Sequence, residues 1–362
     1  MRICFISVGT FNHIGPYLEY FKQAGHDVHF ICLSPSPERN VPTYNVGLGG
    51  KYSQTQGKWK YPLSMFRARR LLKKLKPDIV HAHYVTSAGL TALVCGFHPT
   101  VVTAHGSDLT TGIKSRLWRP ILKRIFEFAD CVNVVSEDLA EMALSLGINK
   151  AKIEVLTLGV DTEKFPPVQR NKIDRSNPLK MVCTRRLELV FDHTTMIRAM
   201  ALLKIKGIKF ELSLAGDGSL LDELKQQVRN LGLDDSVTFM GKVAHEDLPE
   251  LLSRNDVYLS ASLWDGTSLS LLEAMASGLF PIVSDIKANS AWLRNGVDGF
   301  LHKVGNAEDL ANCILRLLDE PEIVQKACPH NRQSVVEKAD RNKNMKRLET
   351  IYQDLVYKSQ EI

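Results

Sequence analysis

Three things are missing from this chain of 362 residues. No apolar run approaches the roughly 18 residues that a membrane-spanning helix requires. The seven cysteines include no Cys-x-x-Cys pair, which removes the common thiol-redox and zinc spacings. Cys4, Cys32, Cys131 and Cys183 stand inside apolar, strand-like stretches, where a thiol packs as a small hydrophobe in a reducing compartment. There is also no Asp-x-Asp, so a metal-bridged diphosphate is not supported. The amino terminus, Met1 to Gly9, has too short an apolar core for a signal peptide and reads as a buried first strand. A cytosolic protein is expected.

What is present describes an ordinary soluble globular chain, 44% apolar and 24% charged. Its length favours two domains. The net charge of +6 is unevenly shared: residues 1–168 hold 20 Lys/Arg against 13 Asp/Glu, the remainder 26 against 27. Nine basic residues and no acidic one fall in Lys51–Lys76, Lys73 and Lys74 among them. A second cluster, Lys114, Arg116, Lys123 and Arg124, is interleaved with Leu117, Trp118, Ile121, Leu122 and Ile125. A basic and apolar surface suits anionic lipid headgroups. Nucleic acid would suit the charge equally, but no nucleic-acid module is recognisable, so none is expected.

Strand and helix signals alternate through both halves, which predicts parallel sheets covered by helices on both faces. Strands are expected at Ile3–Val8, Asp27–Leu33, Ile79–His83, Val101–Ala104 and Cys131–Val135, then at Lys180–Thr184, Phe210–Ala215, Ser236–Met240, Val257–Ser260 and Phe280–Ser284. One long polar helix is expected from about Asn331 to Tyr357. The Pro-rich, polar stretch 167–178 reads as a linker. Two Rossmann-like, doubly wound domains are therefore expected, 1–166 and 179–340, with a cleft between them. In such sheets ligands lie beyond the carboxyl ends of the strands.

Four strand-to-helix loops carry polar chemistry. In Ser262–Gly278, Asp265 and Glu273 bracket a predicted helix start whose N-cap is Thr267 or Ser268, with Ser270 and Glu273 at capping-box spacing. Free amides at Ser268, Leu269 and Ser270 suit a phosphate. Glu273 can accept from a ribose diol and Asp265 from the hydroxyls of a second sugar, the outline of a nucleotide-sugar; capping and a solvated loop charge are the plainer alternative. Thr184-Arg185-Arg186 ends a strand with two arginines suited to a diphosphate, or to an ion pair with Glu188. His105 and Asp108 follow another strand, and His81-Ala-His83 ends a third. The His81/His83 pair has no third ligand at helical spacing, so no metal is expected. Ala215-Gly-Asp-Gly218 lacks the third glycine of a dinucleotide fingerprint.

Taken in order, Gly25-His-Asp-Val28, Pro77-Asp-Ile-Val-His-Ala-His83, Thr103-Ala-His-Gly-Ser-Asp108, Gly159-Val-Asp161, Ala215-Gly-Asp-Gly218, Val237-Thr-Phe-Met-Gly241 and Asp265 to Glu273 resemble the family 4 glycosyltransferases, whose fold is GT-B. The resemblance implies a retaining transfer of a hexose-type sugar from a nucleotide-diphosphate sugar, a co-substrate, to a lipid-linked or glycan acceptor, with no cofactor and no active-site metal. It implies a C-terminal helix, 341–362, packed back on the first domain, and action at the cytoplasmic membrane face. By position, Glu273 resembles the ribose-binding glutamate, Asp265 the contact to donor-sugar hydroxyls, His105 the histidine near the transferring sugar, and Arg186, with Arg185 beside it, the diphosphate arginine. The amides of Ser268, Leu269 and Ser270 match those that hold phosphate. Gly9, Gly15 and Gly216 are placed with the donor-binding residues.

There are departures. Six residues beyond the arginine this chain has Asp192 where the family has Lys, and Ala291 stands for a Glu. Asp265 is a methylene shorter than the usual Glu, a shift of about 1.5 Å. They leave open a degenerate relative that binds nucleotide or an anionic surface without transfer; a nucleotide-sugar epimerase is the other alternative.

Overall fold

The computed structural model describes residues 1–8, 12–34, 39–47, 61–168, 173 and 176–361. Gly9, Lys51, Lys58, Lys60 and half of the expected linker lie outside the described residues. The chain divides into two compact units, Met1–Leu158 with Asn342–Ile362, and Gly159–Arg341.

The first unit is built on β1 (Arg2–Ser7), β2 (Asp27–Cys32), β3 (Thr43–Asn45), β4 (Ile79–His83), β5 (Thr100–Ala104), β6 (Cys131–Val134) and β7 (Ile153–Val155). They form one parallel sheet in the order β3-β2-β1-β4-β5-β6-β7. Every residue of β4 and β5 is buried, as expected for parallel strands covered on both faces. The order reverses between β1 and β4, so the loops after β4 and β5 open near the switch point where such sheets bind ligands.

The second unit holds β8 (Leu179–Cys183), β9 (Phe210–Ala215), β10 (Val237–Gly241), β11 (Val257–Ser260), β12 (Phe280–Ser284) and β13 (Phe300–His302). They form a parallel sheet, order β10-β9-β8-β11-β12-β13, whose switch point lies between β8 and β11. Alternate residues feed separate cores: Met181, Cys183, Val257 and Leu259 pack on one face, Val182 and Tyr258 on the other. Both units are thus doubly wound α/β, as the alternating pattern predicts.

Two sequence expectations are corrected. The long terminal helix is two helices, Ile323–Lys338 and Arg341–Gln360. Between them Ala339 accepts from Val160 N (2.8 Å), and Arg341 N donates to Val160 O (2.9 Å). That pairing takes the backbone out of helical geometry. It also needs Gly159, whose φ is +68° and where a Cβ would lie only 2.3 Å from the Ala339 carbonyl oxygen. The last helix then joins the first unit, burying Met345, Leu348, Ile351 and Tyr352. Within that unit Tyr352 stacks on Phe21 at 5.0 Å, and Glu349 accepts from His26 at 2.8 Å.

The second correction concerns the basic clusters. Helix Trp118–Phe128 is amphipathic, and Leu122 and Ile125 are core residues rather than part of a surface. Lys123 and Arg124 are exposed and lean on Glu127, at 3.8 and 3.9 Å. Arg116 and Leu117 remain exposed. In helix Tyr61–Leu75, Lys73 and Lys74 are exposed, and so are the apolar Leu63 and Phe66.

Candidate functional site

In the second unit the site residues converge where β8 and β11 leave the sheet side by side. Arg185, just past β8, reaches across to the loop after β11. Its Nη2 lies 2.5 Å from Asp265 Oδ2, its Nη1 donates to Ser268 Oγ at 3.3 Å, and its guanidinium covers the Phe191 ring at 4.1 Å. The side chain is 11% exposed. Asp265 is occupied at both oxygens, since Oδ1 accepts from Gly266 N at 2.8 Å. The carboxylate expected to meet sugar hydroxyls therefore holds an arginine in this structure.

Arg186 points elsewhere. It is 73% exposed at the side chain and pairs with Glu188 at 3.0 Å, the ion-pair alternative considered from sequence. Glu188 also accepts from Ser219 Oγ at 2.7 Å, and this bond holds its carboxyl below the usual carboxylate range. Asp192 is engaged as a helix cap. With φ +42° it caps helix His193–Ile205, accepting from Thr195 N and Oγ1 at 3.2 and 2.6 Å.

Ser268 is the N-cap of helix Leu269–Ala276, accepting from Leu271 N at 3.3 Å. The capping box read at Ser270 and Glu273 does not form. Ser270 Oγ donates to Thr184 O at 3.3 Å, tying the two loops together. Glu273 is buried, with Oε1 3.1 Å from His245 Nε2. The amides of Ser268, Leu269 and Ser270 thus stand at a helix start whose positive dipole end suits an anion. Gly216 has a structural reason for its identity: a Cβ there would lie 2.2 Å from the Arg185 carbonyl oxygen. Its backbone closes against the arginine loop.

In the first unit His105 follows β5 and belongs to an array of rings. Its Nε2 is 3.0 Å from His83 Nδ1, and Tyr84 stacks on it at 4.6 Å. His81 and His83 share one side of β4, 4.1 Å apart, and the polar atoms of His81 are taken by Tyr352 and by Thr103 Oγ1 at 2.6 Å. Burial pushes His105 down to about 3, and lowers His81 and His83 well below the ordinary histidine value. Gly15 opens helix Gly15–Gln23 in the same unit.

Tyr84 escaped the sequence reading, and Asp108 was named there beside His105 without a role. Asp108 is buried and accepts from His105 N (3.1 Å), Gly106 N (2.9 Å) and Val85 N (2.8 Å), so it shapes the His105 loop. Tyr84 has φ +77° and begins a π-helical turn, Tyr84–Gly89. Strain in an aromatic residue and a π turn both favour functional positions. No composition or spacing announces Tyr84; Asp108 stood in the strand-end loop with His105, but its bonds to three backbone amides did not show in the sequence. Among the described residues no group of three or more His, Cys, Asp or Glu is placed to hold a metal.

Comparison with known proteins gives a consistent result. A model of glycosyl transferases group 1 matches residues 167–334, and one of glycosyltransferase family 4 matches residues 9–164. The Escherichia coli enzyme UDP-Gal:alpha-D-GlcNAc-diphosphoundecaprenol alpha-1,3-galactosyltransferase is 29% identical, covering 81% of this chain and 79% of its own. N-acetyl-alpha-D-glucosaminyl L-malate synthase of Bacillus anthracis is 26% identical over 98% of this chain and 96% of its own. The crystal structure of HepE from Anabaena in complex with UDP superposes with a TM-score of 0.81 at 18% identity, over 98% and 100% of the two chains.

Proposed function

From the premise that this chain belongs to family 4 of the glycosyltransferases, and is a sugar-transferring enzyme of the GT-B fold, we propose a specific reaction for it. A hexose-type sugar moves from a nucleotide-diphosphate sugar to a lipid-linked or glycan acceptor, with retention of anomeric configuration and without a metal ion. One observation carries the donor side of this reading. At the switch point of the second unit, Arg185 from the loop after β8 meets the capped helix start at Ser268 after β11, and the same helix carries the buried Glu273.

Each group fits a part of the donor. Breaking a sugar–phosphate bond leaves negative charge on the diphosphate, and a fixed cation with a helix N-terminus stabilises it without reorganisation. Arg185 fills this role better than Arg186, because it is largely buried and held against Phe191 and Ser268. Glu273 takes the ribose. Retention needs attack on the face the diphosphate leaves, with a diphosphate oxygen taking the acceptor's proton. The lack of an Asp-x-Asp supports leaving group stabilisation by protein groups alone.

For the acceptor, the galactosyltransferase from Escherichia coli is named for a diphosphoundecaprenol-linked one. The exposed Leu63, Phe66, Lys73 and Lys74 of the first unit, with Arg116 and Leu117, fit peripheral contact with an anionic membrane at its cytoplasmic face. No described helix is long and apolar enough to cross a membrane.

The test is a thermal-shift screen against nucleoside diphosphates and their sugar conjugates with a chelator present. Ligand at 100 times its dissociation constant adds about 2.7 kcal/mol. A shift with one diphosphate that survives chelation and disappears in Glu273→Ala is the expected result. Sugar transfer that stops on chelation and returns with a divalent cation overturns metal independence; product of inverted configuration overturns retention.

A further inference from the structure

A buried carboxylate needs its oxygens met, and Glu273 Oε1 meets His245 Nε2 at 3.1 Å. A carboxylate oxygen accepts, so Nε2 carries the hydrogen. His245 lies between β10 and helix Leu248–Ser253, in a loop rather than in a regular element. Its ring is half exposed, at 50%, while the Glu273 side chain is 9% exposed. A loop residue of that exposure would ordinarily move among rotamers, but this one is backed. Phe165 meets the ring edge-on, 5.6 Å between centroids at 76°. Phe165 is itself fully buried, and its carbonyl accepts from Arg332 Nη1.

The order of constraint is therefore a fixed phenyl ring, a histidine held against it, and one oxygen of a buried glutamate held by the histidine. Pinning one oxygen fixes the direction of the other. We propose that His245 is a positioning residue for donor selection: it holds Glu273 so that Oε2 receives the ribose hydroxyls of the donor nucleotide. The proposal rests on the donor-site reading above and adds to it the element that makes the site read ribose. A site built to bond a hydroxyl rejects the analogue lacking it, because its own buried polar group is then left unpaired. That rejection depends on an acceptor that cannot turn away. Without His245, Glu273 can rotate toward water, and the hydroxyl loses its fixed partner.

The experiment is calorimetric titration with the pairs UDP and 2′-deoxy-UDP, GDP and 2′-deoxy-GDP, and ADP and 2′-deoxy-ADP. Wild type is compared with His245→Ala, His245→Gln and Glu273→Ala. For the base that binds, wild type should favour the ribonucleotide by about tenfold or more, and Glu273→Ala should remove the preference. His245→Ala should shrink it by about threefold or more, with kcat for transfer little changed and KM for the donor raised. His245→Gln, which keeps an N–H at similar reach, should recover most of the preference. A merely structural histidine would weaken both members of a pair equally and leave their ratio at the wild-type value, which overturns the proposal. An unchanged ratio with unchanged affinity overturns it too, and in both cases leaves the donor site standing. Failure of wild type to bind any of these diphosphates, or to prefer the ribo form, overturns the donor-site reading and the role of His245 with it.

Discussion

Arg185 and Asp265 form an ion pair, Nη2 to Oδ2 at 2.5 Å, that joins the loop leaving β8 to the loop leaving β11. The two residues are 80 positions apart in the chain. Both side chains are largely withdrawn from water, 11% and 17% exposed, so the pair is screened less than a surface contact. By contrast Arg186, its sequence neighbour, pairs at the surface.

This contrast orders the two arginines. Arg185→Gln is expected to lower kcat/KM for sugar transfer by about tenfold or more, equal to about 1.4 kcal/mol, while Arg186→Gln stays within about threefold. Initial rates on the two variants decide it. A larger loss in Arg186→Gln would mean that the exposed arginine serves the diphosphate.

Gly216→Ala places a Cβ 2.2 Å from a backbone oxygen of the arginine loop. Backbone has to move, and a loss of about 2 kcal/mol or more is expected, with reduced nucleotide binding because Arg185 shifts. Urea titration and nucleotide binding on the same variant measure both. A fully stable variant with normal binding would show that the loops are not closed as described.

The hydroxyl of Tyr352 meets His81 in the core of the first unit. Tyr352→Phe keeps the ring that stacks on Phe21 and removes that bond, leaving a buried nitrogen unmet. About 1–3 kcal/mol should be lost, read as a lower melting temperature. No change would mean that this bond adds nothing to the hold on helix Arg341–Gln360.

Acid should weaken the fold through buried histidines. Burial pushes His105 to about 3 and His193 to about 4, and lowers His81 and His83. In the unfolded chain these rings titrate near 6.5. Their folded values are depressed, so the unfolded chain binds more protons between those limits. Their stabilising contribution is full above about pH 6.5 and falls as pH drops toward the folded values. Asp108, raised by burial, works in the opposite sense but is one group against four. Urea midpoints should drop from pH 7.5 to 5, and His193→Gln should reduce the slope by about one proton, near 1.4 kcal/mol per pH unit. Midpoints level across that range would refute the buried array.

Charge reversal at Lys73 and Lys74, both exposed, should weaken binding to vesicles containing anionic lipid by about 1 kcal/mol per residue reversed or more. Flotation measures it. Transfer to a short soluble acceptor should be unaffected, and equal flotation of the variant would remove the membrane role from this helix.

The sequence alone carried the architecture. Short, mostly apolar stretches such as Ile3–Ile6 and Phe280–Val283, separated by amphipathic helices, admit few arrangements other than parallel sheets covered on both faces. The strand-end positions of Arg185, His105 and Asp265 followed from the same alternation, and so did a helix cap at Thr267 or Ser268, which the structure assigns to Ser268. Glu273 was legible as a carboxylate near that cap. Its burial and its bond to His245, 28 residues away, were not. Neither was the break at Ala339–Asp340, because local helix propensity continues through it and the pairing with Val160 comes from elsewhere in the chain. Adjacent arginines look equivalent on the page; only the packed loops send Arg185 inward onto Asp265 and leave Arg186 at the surface. Periodicity is a local property and determines elements. Partners brought together by the closing of two distant loops depend on tertiary packing, and in this protein those partners define the site.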